Sequence, residues 1–197
     1  MAETPLRLFV AVELPAHVRS ALGASIERLR SRLSGSYRWV RPEGIHLTLR
    51  FLGGVEAERV DELAAALGAA VRTLDPFELR LDAAGVFPNA RAPSVVWAGL
   101  SGGSAALTRL VGAVGIATAG VGEPAESRPY TPHLTLGRVR DRLGRQDAEA
   151  LSAALRGLTY EAAPFRVEGV SLMRSEIGPG GPRYTRLADA PLGRADA

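Results

Sequence analysis

Two of the three histidines in this chain sit in the same four-residue phrase, His46-Leu47-Thr48-Leu49 and His133-Leu134-Thr135-Leu136, offset by 87 positions (133 minus 46). Imidazole is the side chain whose unperturbed pKa lets it give or take a proton near neutral pH. A hydroxyl two residues further on can donate to an oxygen that is gaining negative charge. A lone histidine on an amphipathic strand is usually surface decoration or a satisfied core residue. The same phrase around two of three histidines is a different matter. In-line opening of a cyclic phosphodiester needs a base for the attacking water, an acid for the oxygen that leaves on the far side, and donors for the phosphoryl oxygens. Two histidines and two threonines supply that set. No metal or other cofactor is asked for, and the histidines show no ligand spacing. His17, on the early part of a helical stretch, has no comparable context and reads as a surface residue.

To act together these residues must project from one face of their elements. Both phrases read as strands, where side chains alternate with a period of two. His46 and Thr48 then share one face, while Leu47, Leu49 and Phe51 take the other, toward helices. His133 and Thr135 share a face in the same way, opposite Leu134 and Leu136. By the same parity Arg50 joins His46 and Thr48 as a possible phosphate or substrate contact. Arg138 is a second such candidate, but it lies five residues after His133, so ideal alternation turns it away unless Gly137 bends the strand. Trp39, Tyr130 and Tyr184 offer rings on which a base could stack, with a core role favoured for Trp39.

The remaining elements follow from periodicity. Leu6–Glu13 is apolar and β-prone. Val18, Leu22, Ile26, Leu29 and Leu33 then recur at helical spacing, with Pro15 in the first turn. Tyr37–Val40 alternates like a strand, and Pro42-Glu43-Gly44 makes a turn. Ile45–Leu52 is a strand stopped by Gly53-Gly54. Val60, Leu63, Leu67, Val71 and Leu74 mark a second helix, Phe77–Leu81 a strand, Pro88-Asn89 a loop, and Val95–Leu100 another strand. Leu107 to Val121 reads as a third helix, His133–Val139 as the second motif strand, and Leu151, Leu155 and Leu158 as a short fourth helix. Phe165–Leu172 and Tyr184–Leu187 close the chain as strands across the loop Gly178–Pro182, which reads as a plain turn because it lacks Walker or dinucleotide spacing. Strands and helices mix throughout and no hydrophilic linker divides the chain. The expectation is one α+β domain over residues 1–197, with antiparallel sheets backed by helices.

Composition narrows the chemistry further. With no Cys, disulfides, thiolate metal sites and cysteine nucleophiles are excluded. With no Lys, all 24 basic residues are Arg, which rules out Schiff bases, a P-loop lysine and a lysine–nucleotide adduct. A net charge of +3 permits a nucleic-acid partner without demanding one, and the guanidinium fork suits phosphate. No apolar run is long enough to cross a bilayer, and Glu13 interrupts the apolar start. A cytoplasmic monomer without membrane attachment is the resulting expectation.

The chain also resembles a known family, the 2H phosphoesterase superfamily, and within it the RNA 2′,3′-cyclic phosphodiesterase branch, also called 2′-5′ RNA ligases. The resemblance rests on the paired His-x-Thr phrases and on the stretches Arg7–Pro15, Trp39–Gly53, Thr131–Arg138 and Ser175–Tyr184, so it spans nearly the whole chain. It implies a two-lobed, pseudo-two-fold fold with the histidines facing each other across a cleft. It also implies hydrolysis of RNA 2′,3′-cyclic phosphate ends to 2′-phosphomonoesters, with His46 as proton donor, His133 as acceptor, and Thr48 and Thr135 at the phosphate. The alternatives are 2′-5′ ligation at the same site, a 5′-hydroxyl replacing water, and a non-catalytic RNA-binding module. Intact His and Thr in both copies argue against the last.

Overall fold

The protein is described here by a computed structural model covering residues 4–35, 37–124, 126–179 and 181–193. Its first half runs β1 (Leu6–Glu13), α1 (Ala16–Arg32), β2 (Tyr37–Trp39), β3 (His46–Val55) and α2 (Val60–Val71). Its second half runs β4 (Phe77–Phe87), β5 (Val95–Ser101), α3 (Ser104–Ala117), β6 (Leu134–Val139) and α4 (Arg145–Arg156). The chain closes with β7 (Phe165–Val167), β8 (Gly169–Gly178) and β9 (Gly181–Pro191). Every strand pairing is antiparallel. One sheet has the order β3-β1-β8-β9 and the other β2-β6-β5-β4-β7, so the architecture is α+β.

The two sheets repeat one plan. In each, a strand (β1 or β5) leads through a helix (α1 or α3) to an antiparallel neighbour carrying the His-x-Thr phrase (β3 or β6), and another helix follows. The helices form because each carries an apolar stripe. That stripe is buried as Val18, Leu22, Ile26 and Leu29 on α1, and as Leu63, Leu67 and Val71 on α2. On α3 it is Leu107, Leu110 and Val114, and on α4 it is Leu151 and Leu155. These side chains join Leu8, Val10 and Val12 of β1, Leu47 of β3 and Leu134 of β6 in one continuous core. The alternate residues of β1, Phe9 and Ala11, belong to a small separate cluster with Met173, flanked by Phe51 and Tyr184. Strand alternation therefore gives the first sheet a helix-covered face and a second face free to line a cavity.

One strand crosses between the halves. β2 belongs to the first half in sequence but pairs with β6, Tyr37 opposite Val139 and Trp39 opposite Gly137. A Cβ on Gly137 would sit 2.7 Å from the Trp39 ring, so only glycine lets the indole lie flat against the strand.

Several boundaries differ from the sequence reading. β3 does not stop at Gly53-Gly54 but runs through it to Val55, Gly53 taking φ +67 at an irregularity opposite Leu8 and Phe9. β4 continues six residues beyond Leu81, to Phe87. The expected strand Phe165–Leu172 is two strands, because the chain changes sheet at Glu168: β7 pairs with β4 and β8 with β1. β9 reaches from Gly181 to Pro191, well beyond Tyr184–Leu187. Leu74 and Val121 lie past the ends of their helices, and Pro15 caps α1 from outside. Gly180, in the expected Gly178–Pro182 turn, lies outside the described residues.

Candidate active site

His46 and His133 line one cavity of about 490 Å³, together with Thr48 and Thr135. They do not stand on neighbouring strands of one sheet, as two motifs side by side would require. β3 is an edge of the first sheet, β6 lies inside the second, and the cavity opens between them.

Each imidazole is oriented by the same local bond. His46 Nδ1 lies 2.9 Å from the carbonyl of Gly44, and His133 Nδ1 lies 2.9 Å from the carbonyl of Thr131. A carbonyl only accepts, so Nδ1 carries the proton in both rings and Nε2 is left to exchange one. The loops Pro42–Gly44 and Thr131-Pro132 thus set the tautomer that proton transfer needs.

Both motif strands also bulge at the same place. Ala11 pairs with Thr48 but Val10 with Arg50, so Leu49 has no partner. Trp97 pairs with Thr135 but Val96 with Gly137, so Leu136 has no partner. An unpaired residue reverses the face parity of everything after it. In β6 this brings Arg138 into the cavity, against simple alternation and by the bend that Gly137 permits. In β3 it does the reverse to Arg50. That side chain does not enter the cleft with His46; its Nη2 reaches the carbonyl of Glu123 at 3.4 Å. Phe51 faces the cavity instead of the helices, with the Arg7 guanidinium 4.5 Å above its ring.

Tyr184 lies at the cavity as expected, its ring edge-on to His46 at 4.9 Å and to Phe9 at 5.3 Å. Burial pushes its phenol pKa up, while the nearby guanidiniums of Arg138, Arg7 and Arg38 oppose that rise. Tyr130 is placed differently. Its hydroxyl donates to the Thr48 carbonyl at 2.9 Å, tying the loop before His133 to β3, and burial raises its pKa well above the usual tyrosine range. It braces the two motif strands and does not line the cavity. Trp39 does both jobs, packing on the core while lining the cleft.

The sequence reading missed Arg7, Arg38 and Arg41, which with Arg138 make four arginines lining the cavity. Arg7 has the parity of Phe9 and Ala11 on β1, but nothing in the chain tells which face of β1 looks on the motifs. Arg38 arrives only because β2 crosses to the other sheet.

The two histidines differ in surroundings. Phe9 stacks on His46 at 4.7 Å, and desolvation lowers the His46 pKa below its ordinary value, opposed by the Gly44 hydrogen bond and the charge of Glu13. Glu13 sits opposite His46 across the β1–β3 ladder, where it accepts the Ser171 hydroxyl at 2.6 Å. His133 meets the ring of Phe87 edge-on at 5.0 Å. The strand position matching Glu13, two residues past the partner of the motif threonine, is Gly99.

The model of the 2′-5′ RNA ligase superfamily matches residues 18–179. The chain is 34% identical to an RNA 2′,3′-cyclic phosphodiesterase of Methanothermobacter thermautotrophicus, over 92% of this chain and 96% of that protein. It is also 34% identical to one of Thermus thermophilus, over 92% of this chain and 88% of that protein. Among solved structures, TT0787 of Thermus thermophilus superposes with a TM-score of 0.79 at 30% identity, covering 97% of this chain and 100% of that one. LigT of E. coli complexed with 3′-AMP gives a TM-score of 0.73 at 30% identity, covering 95% and 98%.

Proposed function

The chain belongs to the 2′-5′ RNA ligase superfamily, and from that membership we propose that it hydrolyses RNA 2′,3′-cyclic phosphate ends to 2′-phosphomonoesters, without a metal ion. The observation that carries the reading is the pair of imidazoles lining one cavity, each with Nδ1 held by a carbonyl and Nε2 left for proton exchange.

Water attacks phosphorus in line with the P–O3′ bond. His133 Nε2 takes the proton of that water as the new P–O bond forms. The P–O3′ bond breaks, His46 Nε2–H protonates O3′, and the phosphate stays on O2′. The Thr48 and Thr135 hydroxyls donate to the phosphoryl oxygens, where charge accumulates. The guanidiniums of Arg7, Arg38 and Arg138 give the cavity a positive field for an anionic end. As donor, His46 must be protonated, and burial works against that in the empty cleft. An arriving phosphate anion favours the imidazolium, as Glu13 already does, so substrate binding itself charges the acid.

The test is incubation of the purified protein with an RNA oligonucleotide ending in a 2′,3′-cyclic phosphate, in the presence of EDTA. A 2′-phosphate product is expected at an undiminished rate. A 3′-phosphate product would overturn O3′ as the leaving oxygen. Loss of activity with chelator, restored by a divalent cation, would overturn the metal-free mechanism.

A further inference from the structure

A second concavity of about 630 Å³ lies outside the cleft, lined by Arg91, Arg142, Arg145 and Arg156 with Leu143 and Glu149. Arg145 is paired with Glu149 at 2.8 Å. Among the described residues the other three guanidiniums have no carboxylate partner. A core or fold-stabilising role does not account for three unpaired cations converging on one groove.

The groove adjoins the catalytic cleft along the His133 side. β6 leaves the cleft at Arg138, and Arg142, four residues on, is already in the groove. Four residues span at most about 14 Å of chain. On the other flank, Phe87 touches His133, and the loop it opens carries Arg91 into the groove. That loop is fixed rather than loose. Ser94 donates its backbone N–H to the Phe87 carbonyl at 2.7 Å, and Val139 donates to the Ser94 carbonyl at 2.9 Å. The positive field of Arg7, Arg38 and Arg138 therefore continues past the C-terminal end of β6 into a second positive site.

We propose that this groove binds the phosphodiester backbone of the RNA body whose cyclic end occupies the cleft. This rests on the reaction proposed for the cleft. Planar guanidinium forks match phosphate oxygens two at a time. Among the described residues lining the groove there is no aromatic ring, so it follows phosphates and reads no bases. Its contribution is thus to chain length and not to sequence.

The experiment compares two substrates, cytidine 2′,3′-cyclic monophosphate, which fills only the cleft, and a single-stranded oligonucleotide ending in a 2′,3′-cyclic phosphate. In the triple variant Arg91→Gln, Arg142→Gln, Arg156→Gln, the KM for the oligonucleotide should rise at least about tenfold while kinetics on the mononucleotide stay unchanged. The log–log salt dependence of oligonucleotide binding should become shallower by about 2, since each single-strand phosphate contact contributes roughly 0.7. Glu149→Gln removes the acid in the groove and should tighten oligonucleotide binding. An unchanged KM and salt slope in the triple variant, or an equal loss on both substrates, would overturn the proposal. If the unmodified protein turns over neither substrate, the reaction proposed for the cleft is what fails. Fluorescence anisotropy of a labelled oligonucleotide, compared between unmodified protein and triple variant, then still decides the groove.

Discussion

The half-site around His46 and the half-site around His133 share a phrase, a carbonyl on Nδ1 and a bulge at the same leucine, yet they sit in unlike surroundings. On the His46 side, Phe9 and Tyr184 close over the ring, and Glu13 faces it across the ladder. On the His133 side, one aromatic contact touches the ring, its hydrogen bond to Thr131 is solvent-exposed, and Gly99 stands where Glu13 would be. Identical local geometry fixes what both imidazoles can do, namely exchange a proton at Nε2. Different environments make the two imidazoles unequal: burial lowers the pKa of His46, while Glu13 favours its charged form. A duplicated motif need not give two equivalent groups.

Removing either imidazole is the hardest blow to this pairing. His46→Ala or His133→Ala should each lower the rate by roughly 10²–10⁴, about 3–5 kcal/mol of barrier, and the double variant should cost less than the sum. A substrate with an activated leaving group no longer needs the acid. It should partly rescue His46→Ala and leave His133→Ala impaired; the opposite pattern would exchange the roles. Next in size are the hydroxyls. Thr48→Ala and Thr135→Ala should each cost about 10–10³ in kcat, with correct folding checked by circular dichroism.

The bulges supply a third test. Arg138→Gln should raise KM for the cyclic phosphate by about 10–10², as loss of a charge-assisted contact does. Arg50→Gln, on the matching strand but turned out of the cleft, should leave KM within about twofold, that is, under ~0.5 kcal/mol. Equal effects would mean that the two strands do not reverse parity as described.

That contrast also marks where the sequence could be read and where it could not. The alternation His-Leu-Thr-Leu shows which residues share a face because period two is local. The helices are legible for the same reason: apolar residues three and four apart need no partner to be recognised. A bulge is a relation between two strands, and neither Leu49 nor Leu136 announces that it has nobody opposite. Alternation alone therefore sends Arg50 to the cleft and leaves Arg138 depending on Gly137. The sheet change at Glu168 is hidden likewise, since Phe165, Val167, Val170 and Leu172 read as one β-prone stretch and only the choice of partner divides it. Arg7 and Arg38 stand in plain strands, and their value comes from what lies across the cleft.

The smallest expected effect is on pH. Glu13 favours the imidazolium of His46. Glu13→Gln should lower that pKa further, so the alkaline limb of the kcat/KM profile, where the donor loses its proton, should move to lower pH. A profile that does not move would contradict the effect of Glu13 on His46. The same sign governs folding. His46 binds its proton less readily folded than unfolded, so its contribution to stability is full above the unfolded value near 6.5 and is lost as pH falls from there toward the folded pKa.

The crossing of β2 has a consequence in time. Tyr37 leaves the ribosome 102 positions before its partner Val139 (139 minus 37), about 5–20 s earlier at roughly 5–20 residues per second. Throughout that interval β1, α1 and β3 can assemble, but β2 has no edge to join and Arg38 has no cleft to enter. Nascent chains arrested before residue 134 should therefore be cut by protease around Tyr37–Trp39, and chains released at full length should resist. The first half of this protein is made early and finished late: β6 takes up β2, and β8, later still, covers the open edge of β1.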